Sequence, residues 1–225
     1  MTPGFRILRR RHQVAAELVE RFRTIPVANI SDSMSRMMAG GPRLRPLHAG
    51  GGMAGPALTV KLRPGDNLML HKALDMAEPG DIIVADAGGD LTTAIMGDLM
   101  LNHAIRRGIG GIIINGAVRD VDSIRALSLP LYAAGVTHRG PYKDGPGEIN
   151  VPVALDGMVV EPGDLVLGDA DGVLAVPRLD AEAVLAAAEA KQAAELREMA
   201  AIREGTSDRS WVDKALQARG CIIEE

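Results

Sequence analysis

Rings are scarce in this chain: one Trp, two Tyr and two Phe stand among 225 residues. With so few flat faces for bases to stack on, single-stranded nucleic-acid binding is an unpromising role. Cysteine is reduced to Cys221, which excludes an internal disulfide framework and a cysteine-rich zinc site. No His-x-x-x-His pair exists either, so zinc chemistry has no support. No run approaches the roughly 18 apolar residues that cross a bilayer, and the first residues lack the apolar segment of a secretory signal. The expectation is a cytoplasmic protein that meets no membrane. Positive charge is not in excess: the net charge is -4 and the pI about 5.8. That balance argues against nucleic acid as a partner. The one basic run, Arg6, Arg9, Arg10 and Arg11, reads as a solvated helix face rather than an RNA-contacting arm.

What is present is aliphatic: 47% of residues are hydrophobic, drawn from Ala, Val, Ile, Leu and 11 Met. The length suits one domain, 1–225, with a self-supporting core. An amphipathic helix is expected over 12–22, with Val14, Leu18 and Phe22 at four-residue spacing and Pro26 ending it. Ser31-Asp32 offers a cap for a short helix through Met38. A strand over 57–62 and a helix over 67–76 follow. Two passages then match: Glu78-Pro79-Gly80-Asp81 before Ile82–Asp86, and Glu161-Pro162-Gly163-Asp164 before 165–167. Each is a Pro-Gly turn feeding a buried strand, and Pro64-Gly65-Asp66 reads as a third of the same kind.

The centre alternates as strand Ile82–Asp86, a helical stretch ending at Arg107-Gly108, strand 111–115, helix 120–127 and strand Leu131–Val136. That βαβαβ pattern predicts an α/β fold with parallel pairing. After Gly140 the text turns β-rich: 150–155, a hairpin turn at Asp156-Gly157, Met158–Val160, 165–167 and 172–176. Residues 180–204, rich in Ala and Glu, form a long helix whose apolar face packs on its own domain or on a neighbouring subunit.

Chemistry concentrates in Gly97-Asp98-Leu99-Met100 and Gly116-Ala117-Val118-Arg119-Asp120. Glycine inside a helical pattern costs about 1 kcal/mol. A helix beginning at Gly97 would justify it and leave free N–H groups for a small carboxylate. Arg119-Asp120 follows an apolar strand, where ligands bind in open α/β sheets. The arginine can clamp a carboxylate or steady an enolate, and the aspartate can hold a hard cation. The plain alternative is a surface ion pair, with Asp98 a first-turn acid favoured by the helix dipole.

Together these motifs, with Asp66-Asn67 and the segment from Pro162 to Val173, resemble the RraA-like family over about 24–177. That family holds divalent-metal 4-hydroxy-4-methyl-2-oxoglutarate and 4-carboxy-4-hydroxy-2-oxoadipate aldolases that also decarboxylate oxaloacetate, and the regulator of ribonuclease E activity. The resemblance implies a swivelling β/β/α domain assembled as a homotrimer or homohexamer. It implies that amides from Gly97 through Asp98 and Leu99 to Met100 hold the pyruvyl carboxylate. Arg119 then stabilises the enolate, Asp120 ligates Mg²⁺ or Mn²⁺, and Asp98 orients water on the metal. Lys143 falls where a basic residue stands near substrate, and Glu195 is the candidate for an acid supplied by a neighbouring subunit. One departure stands out. The aldolases carry an acid three positions after the Asp of Arg-Asp; here that position is Ser123, and Asp122 is expected to point about 100° away. Of the histidines, His71 could face the substrate, His103 is structural, and His138 precedes a loop, 141–147, that could form a rim. The resulting expectation is a lyase acting through a pyruvate enolate. The alternative is a non-catalytic regulator that binds another protein such as ribonuclease E.

Overall fold

The computed structural model describes residues 3–223. In chain order it runs β1 (Phe5–Ile7), α1 (Ala16–Phe22), α2 (Val27–Ser33), β2 (Arg45–Pro46), β3 (Met53–Leu62), α3 (Leu68–Met76), β4 (Ile82–Asp86), β5 (Ala94–Met96) and α4 (Asp98–Arg106). It continues with β6 (Gly111–Val118), α5 (Val121–Ala126), β7 (Leu131–Val136), β8 (Gly147–Ile149), β9 (Val153–Leu155), β10 (Met158–Val160), β11 (Leu165–Gly168), β12 (Val173–Val176), α6 (Ala181–Glu204) and α7 (Ser210–Ala218). The described residues fall into a larger compact unit ending at Ala188 and a smaller one beginning at Glu189.

In the larger unit β3, β4, β6 and β7 lie side by side and parallel, as the alternating pattern requires. Both faces of these strands are covered, so β6 is buried at all eight positions and is apolar apart from Asn115. One face packs on α3, α4 and α5 through Leu70, Leu74, Leu101 and Ile124. The other meets β9, β10 and β12 around Tyr132, Leu155 and Val166. β3 is long enough to serve two sheets: 53–56 pair with β11, and 57–61 with β4. The smaller unit carries exposed apolar side chains at Leu196, Met199 and Ile202 on α6 and Trp211 on α7.

The matched passages form matching turns. Gly80 and Gly163 sit at φ 88 and 86, which a Cβ disfavours. In each, the aspartate N–H donates to the glutamate carbonyl at 3.1 Å. Its carboxylate accepts the glutamate N–H at 2.9 Å. Burial pushes both the Asp81 and Asp164 carboxyls above the ordinary range, against the hydrogen bonds they accept.

Several expectations need correction. α1 begins at Ala16, because Val14 N–H is drawn into a bond with the Gly163 carbonyl. Ser31-Asp32 lie inside α2 rather than before it: Pro26 begins this helix instead of merely ending the previous one, a role its fixed φ suits. Pro64-Gly65-Asp66 opens a helix, not a strand. β5 occupies residues expected to be helical, and the strand expected over 150–155 begins only at Val153, after a left-handed Asn150 (φ 58) that separates it from β8. α7 adds a helix the composition did not suggest. The basic run is partly spent internally: Arg6 pairs with Glu148 at 2.6 Å, and Arg10 with Asp81 at 2.7 Å. No helix among the described residues is long and apolar enough to cross a membrane.

Candidate active site

At the C-terminal edge of the parallel strands, two strand ends and a helix start come together. β5 stops at Met96, Gly97 turns the chain, and α4 starts at Asp98. β6 stops at Val118, and Arg119 N–H then donates to the Met96 carbonyl at 2.9 Å, closing the two strand ends on each other. Asp120 follows in the left-handed region, φ 62 and ψ 43, as the cap of α5. That conformation costs about 1 kcal/mol in most residues and is tolerated best by Asp and Asn. From there its Oδ2 accepts the Asp98 N–H at 3.0 Å and lies 3.6 Å from Arg119 Nε. The carboxylate thus rests on the positive end of α4.

Gly97 is the piece that allows this. Its φ of -148 is open to any residue, so no conformational demand explains it. A Cβ there would lie 2.4 Å from Asp120 Oδ2 and 3.0 Å from Arg119 Nε. The requirement is steric: glycine leaves the place the pair occupies. With Asp98 N–H engaged by Asp120 and Leu101 N–H bonded to the Gly97 carbonyl at 3.1 Å, Leu99 and Met100 supply the unspent first-turn N–H donors.

Gly97, Asp98, Leu99, Met100 and Arg119 line a cleft of about 300 Å³ with Asn67, His71, Gly140, Pro141 and Lys143. The loop after His138 therefore does form a rim, and Lys143 and His71 both join the site. Burial, and then the nearby Lys143 charge, hold the His71 imidazole below its ordinary value, so it is neutral at neutral pH. Leu99 is 81% exposed at the mouth. His103 lies apart on the outer side of α4, 3.6 Å from Asp75. Glu195 belongs to the smaller unit, where it pairs with Lys191 at 3.2 Å.

A second hollow of about 360 Å³ adjoins the first through Arg119 and is lined by Asp120, Asp122, Thr137 and His138. Asp122 shares this surface with Asp120. Asn67 was given no site role by sequence reasoning, which read it as a helix start and as part of the Asp66-Asn67 motif; its 2% exposure and side-chain contacts mark it.

Residues 27–175 match a family model described as RraA-like, Aldolase/RraA. A protein of Halalkalibacterium halodurans, provisionally named a 4-hydroxy-4-methyl-2-oxoglutarate aldolase, is 40% identical over 205 residues, covering 91% of this chain and 98% of that protein. An uncharacterized protein of Pseudomonas syringae pv. tomato aligns in structure with TM-score 0.78 and 27% identity, over 87% of this chain and 96% of that one. Streptomyces coelicolor RraAS2, an unusual member of the RNase ES inhibitor RraA protein family, aligns with TM-score 0.74 and 28% identity, over 84% and 98%. The resemblance drawn from the motifs and the α/β fold both agree with these matches.

Proposed function

The chain belongs to the RraA-like family, and from that membership we propose that its cleft cleaves a carbon–carbon bond beside the keto group of a small 2-oxo acid. The substrates are diacids of the 4-hydroxy-4-methyl-2-oxoglutarate type, oxaloacetate, or both. The observation that carries the reading is the convergence of Arg119, the Leu99 and Met100 amides and Lys143 on one cleft of about 300 Å³.

Either cleavage leaves its electron pair on the carbon next to the keto group, giving a pyruvate enolate. Arg119 would stabilise the charge that develops on the enolate oxygen, and the first turn of α4 would hold the carboxylate beside it. Lys143, on the rim, meets the second carboxylate. Neutral His71 contributes a hydrogen bond without adding charge.

A divalent ion fits these residues. Among the described residues no cluster of three or more His, Cys, Asp or Glu, carboxylate clusters included, could hold a metal, so a bound ion would rest on few protein ligands. Asp120 offers a single carboxylate, with Asp122 two residues on in sequence and the Asp98 N–H bonded to its Oδ2 at 3.0 Å. Mg²⁺ and Mn²⁺ suit such sparse oxygen sets, since Mg²⁺ keeps several waters and takes one or two carboxylates. Bound there, the ion would supply Lewis-acid stabilisation of the keto oxygen. The family reading also favours a homotrimer or homohexamer, consistent with the exposed apolar side chains of α6.

The test is pyruvate release from both substrates, with Mg²⁺ and with EDTA. Release above the spontaneous rate is expected for at least one substrate and is abolished by EDTA, while Arg119→Ala lowers kcat/KM about 10²- to 10³-fold. No release above the spontaneous rate from either substrate overturns the enzyme reading. The similarity to RraAS2 would then favour the second reading, a regulator that binds another protein.

A further inference from the structure

Asn67 touches three walls of the cleft at once. Its backbone N–H donates to the Tyr142 carbonyl at 3.0 Å, on the loop that carries Lys143. Its carbonyl accepts the His71 N–H at 3.0 Å on α3. Its side-chain Nδ2 donates to the Ile95 carbonyl at 2.9 Å and to Met100 Sδ at 3.4 Å. Ile95 precedes Gly97 by two residues and Met100 follows it by three, so one amide brackets the turn from both sides.

The amide is held there at a cost. Both Nδ2 hydrogens are committed, which fixes the orientation, and the Oδ1 that remains is buried without a partner. An unpaired buried acceptor is destabilising, and the fold alone would be served as well by an apolar side chain of similar size. The retained asparagine is explained by what it positions.

We propose that Asn67 is a positioning residue for carboxylate binding: it holds the Leu99 and Met100 N–H groups in register with the Lys143 loop. The inference rests on the 2-oxo-acid reading of this cleft. Arg119 and Asp120 follow the end of β6, and among the described residues no hydrogen bond joins either to Asn67, so the effect of losing Asn67 falls on binding rather than on the bond-breaking step.

Calorimetric titration of pyruvate in Mg²⁺ buffer, thermal melting, and KM and kcat for oxaloacetate test it on the whole chain. Asn67→Leu removes the orphan acceptor while leaving the Ile95 carbonyl unpaired, so its melting temperature stays near that of the wild type. Pyruvate affinity falls about tenfold and KM rises by a similar factor, with kcat within about twofold. If Asn67→Leu does not fold, Asn67→Asp decides in the same assays, having the same shape without the N–H donors. Wild-type affinity in either folded variant overturns the proposal, as does a fall in kcat with KM unchanged. If the wild-type chain itself neither binds pyruvate nor turns over oxaloacetate, the functional reading fails first and takes this inference with it.

Discussion

Three turns in this chain share the letters Pro-Gly-Asp, and they part company at the aspartate. In the turns before β4 and β11 the carboxylate folds back on its own turn, accepting the N–H of Glu78 or Glu161 at 2.9 Å. The third turn has the same backbone, with Gly65 at φ 76 and Asp66 N–H on the Arg63 carbonyl at 3.0 Å. Its carboxylate reaches outward instead. Oδ1 caps α3 through Leu68 N–H at 3.0 Å, and Oδ2 accepts from Asp144 and Gly145 at 2.7 and 2.9 Å. Two turns start strands; the third anchors the loop that brings Lys143 to the cleft. The local sequence dictates the bend, and the element that follows dictates what the side chain is used for.

Removing the three carboxylates should separate these roles. Asp66→Ala is expected to be the most damaging, since it orphans three backbone N–H groups around a residue only 1% exposed. A loss of about 3–5 kcal/mol in urea unfolding is expected, together with loss of pyruvate release, because the Lys143 loop is no longer tied down. Asp81→Ala comes next. It strips the half-buried Arg10 guanidinium of its 2.7 Å partner and leaves the exposed Glu78 at 3.3 Å and the Ala57 carbonyl at 3.5 Å, costing about 2–4 kcal/mol. Turnover by the remaining folded protein should be unchanged, and a selective loss of activity would contradict the division drawn above.

Asp164→Asn is the mildest. Asparagine keeps one of the two acceptor oxygens used by Glu161 and Arg178, so about 1 kcal/mol is lost. Its pH dependence carries a sign. Burial raises the folded carboxyl above the unfolded value of 3.8. The stability this group contributes is therefore present below that value and lost as pH rises through the folded one. The advantage of wild type over Asp164→Asn should accordingly be larger near about pH 4 than near about pH 7. A gap that widens toward neutral pH would show that the hydrogen bonds, not burial, dominate.

Legibility in the sequence followed the same division between local and distant causes. β4 and β7 stand at the bounds their apolar runs imply, because turn residues frame them on both sides. The Asp156-Gly157 hairpin forms as its turn chemistry requires, with both residues at positive φ. β5 escaped notice because three residues, Ala94 to Met96, carry no period of their own; only pairing with β6 makes them a strand. In the site, Gly97 and Arg119-Asp120 were readable from their place between a strand and a helix. Asn67 was not, because its role lies in partners 28 and 33 residues away.

The hydrogen atom that serves Gly97 as a side chain has an implication for descent. Any residue larger than glycine would stand where Asp120 and Arg119 now lie, so position 97 and the pair cannot drift independently. A lineage that lost the pair would be released to acquire a side chain at 97. Conversely, a side chain at that position would record, in a single letter, that the pair had already moved.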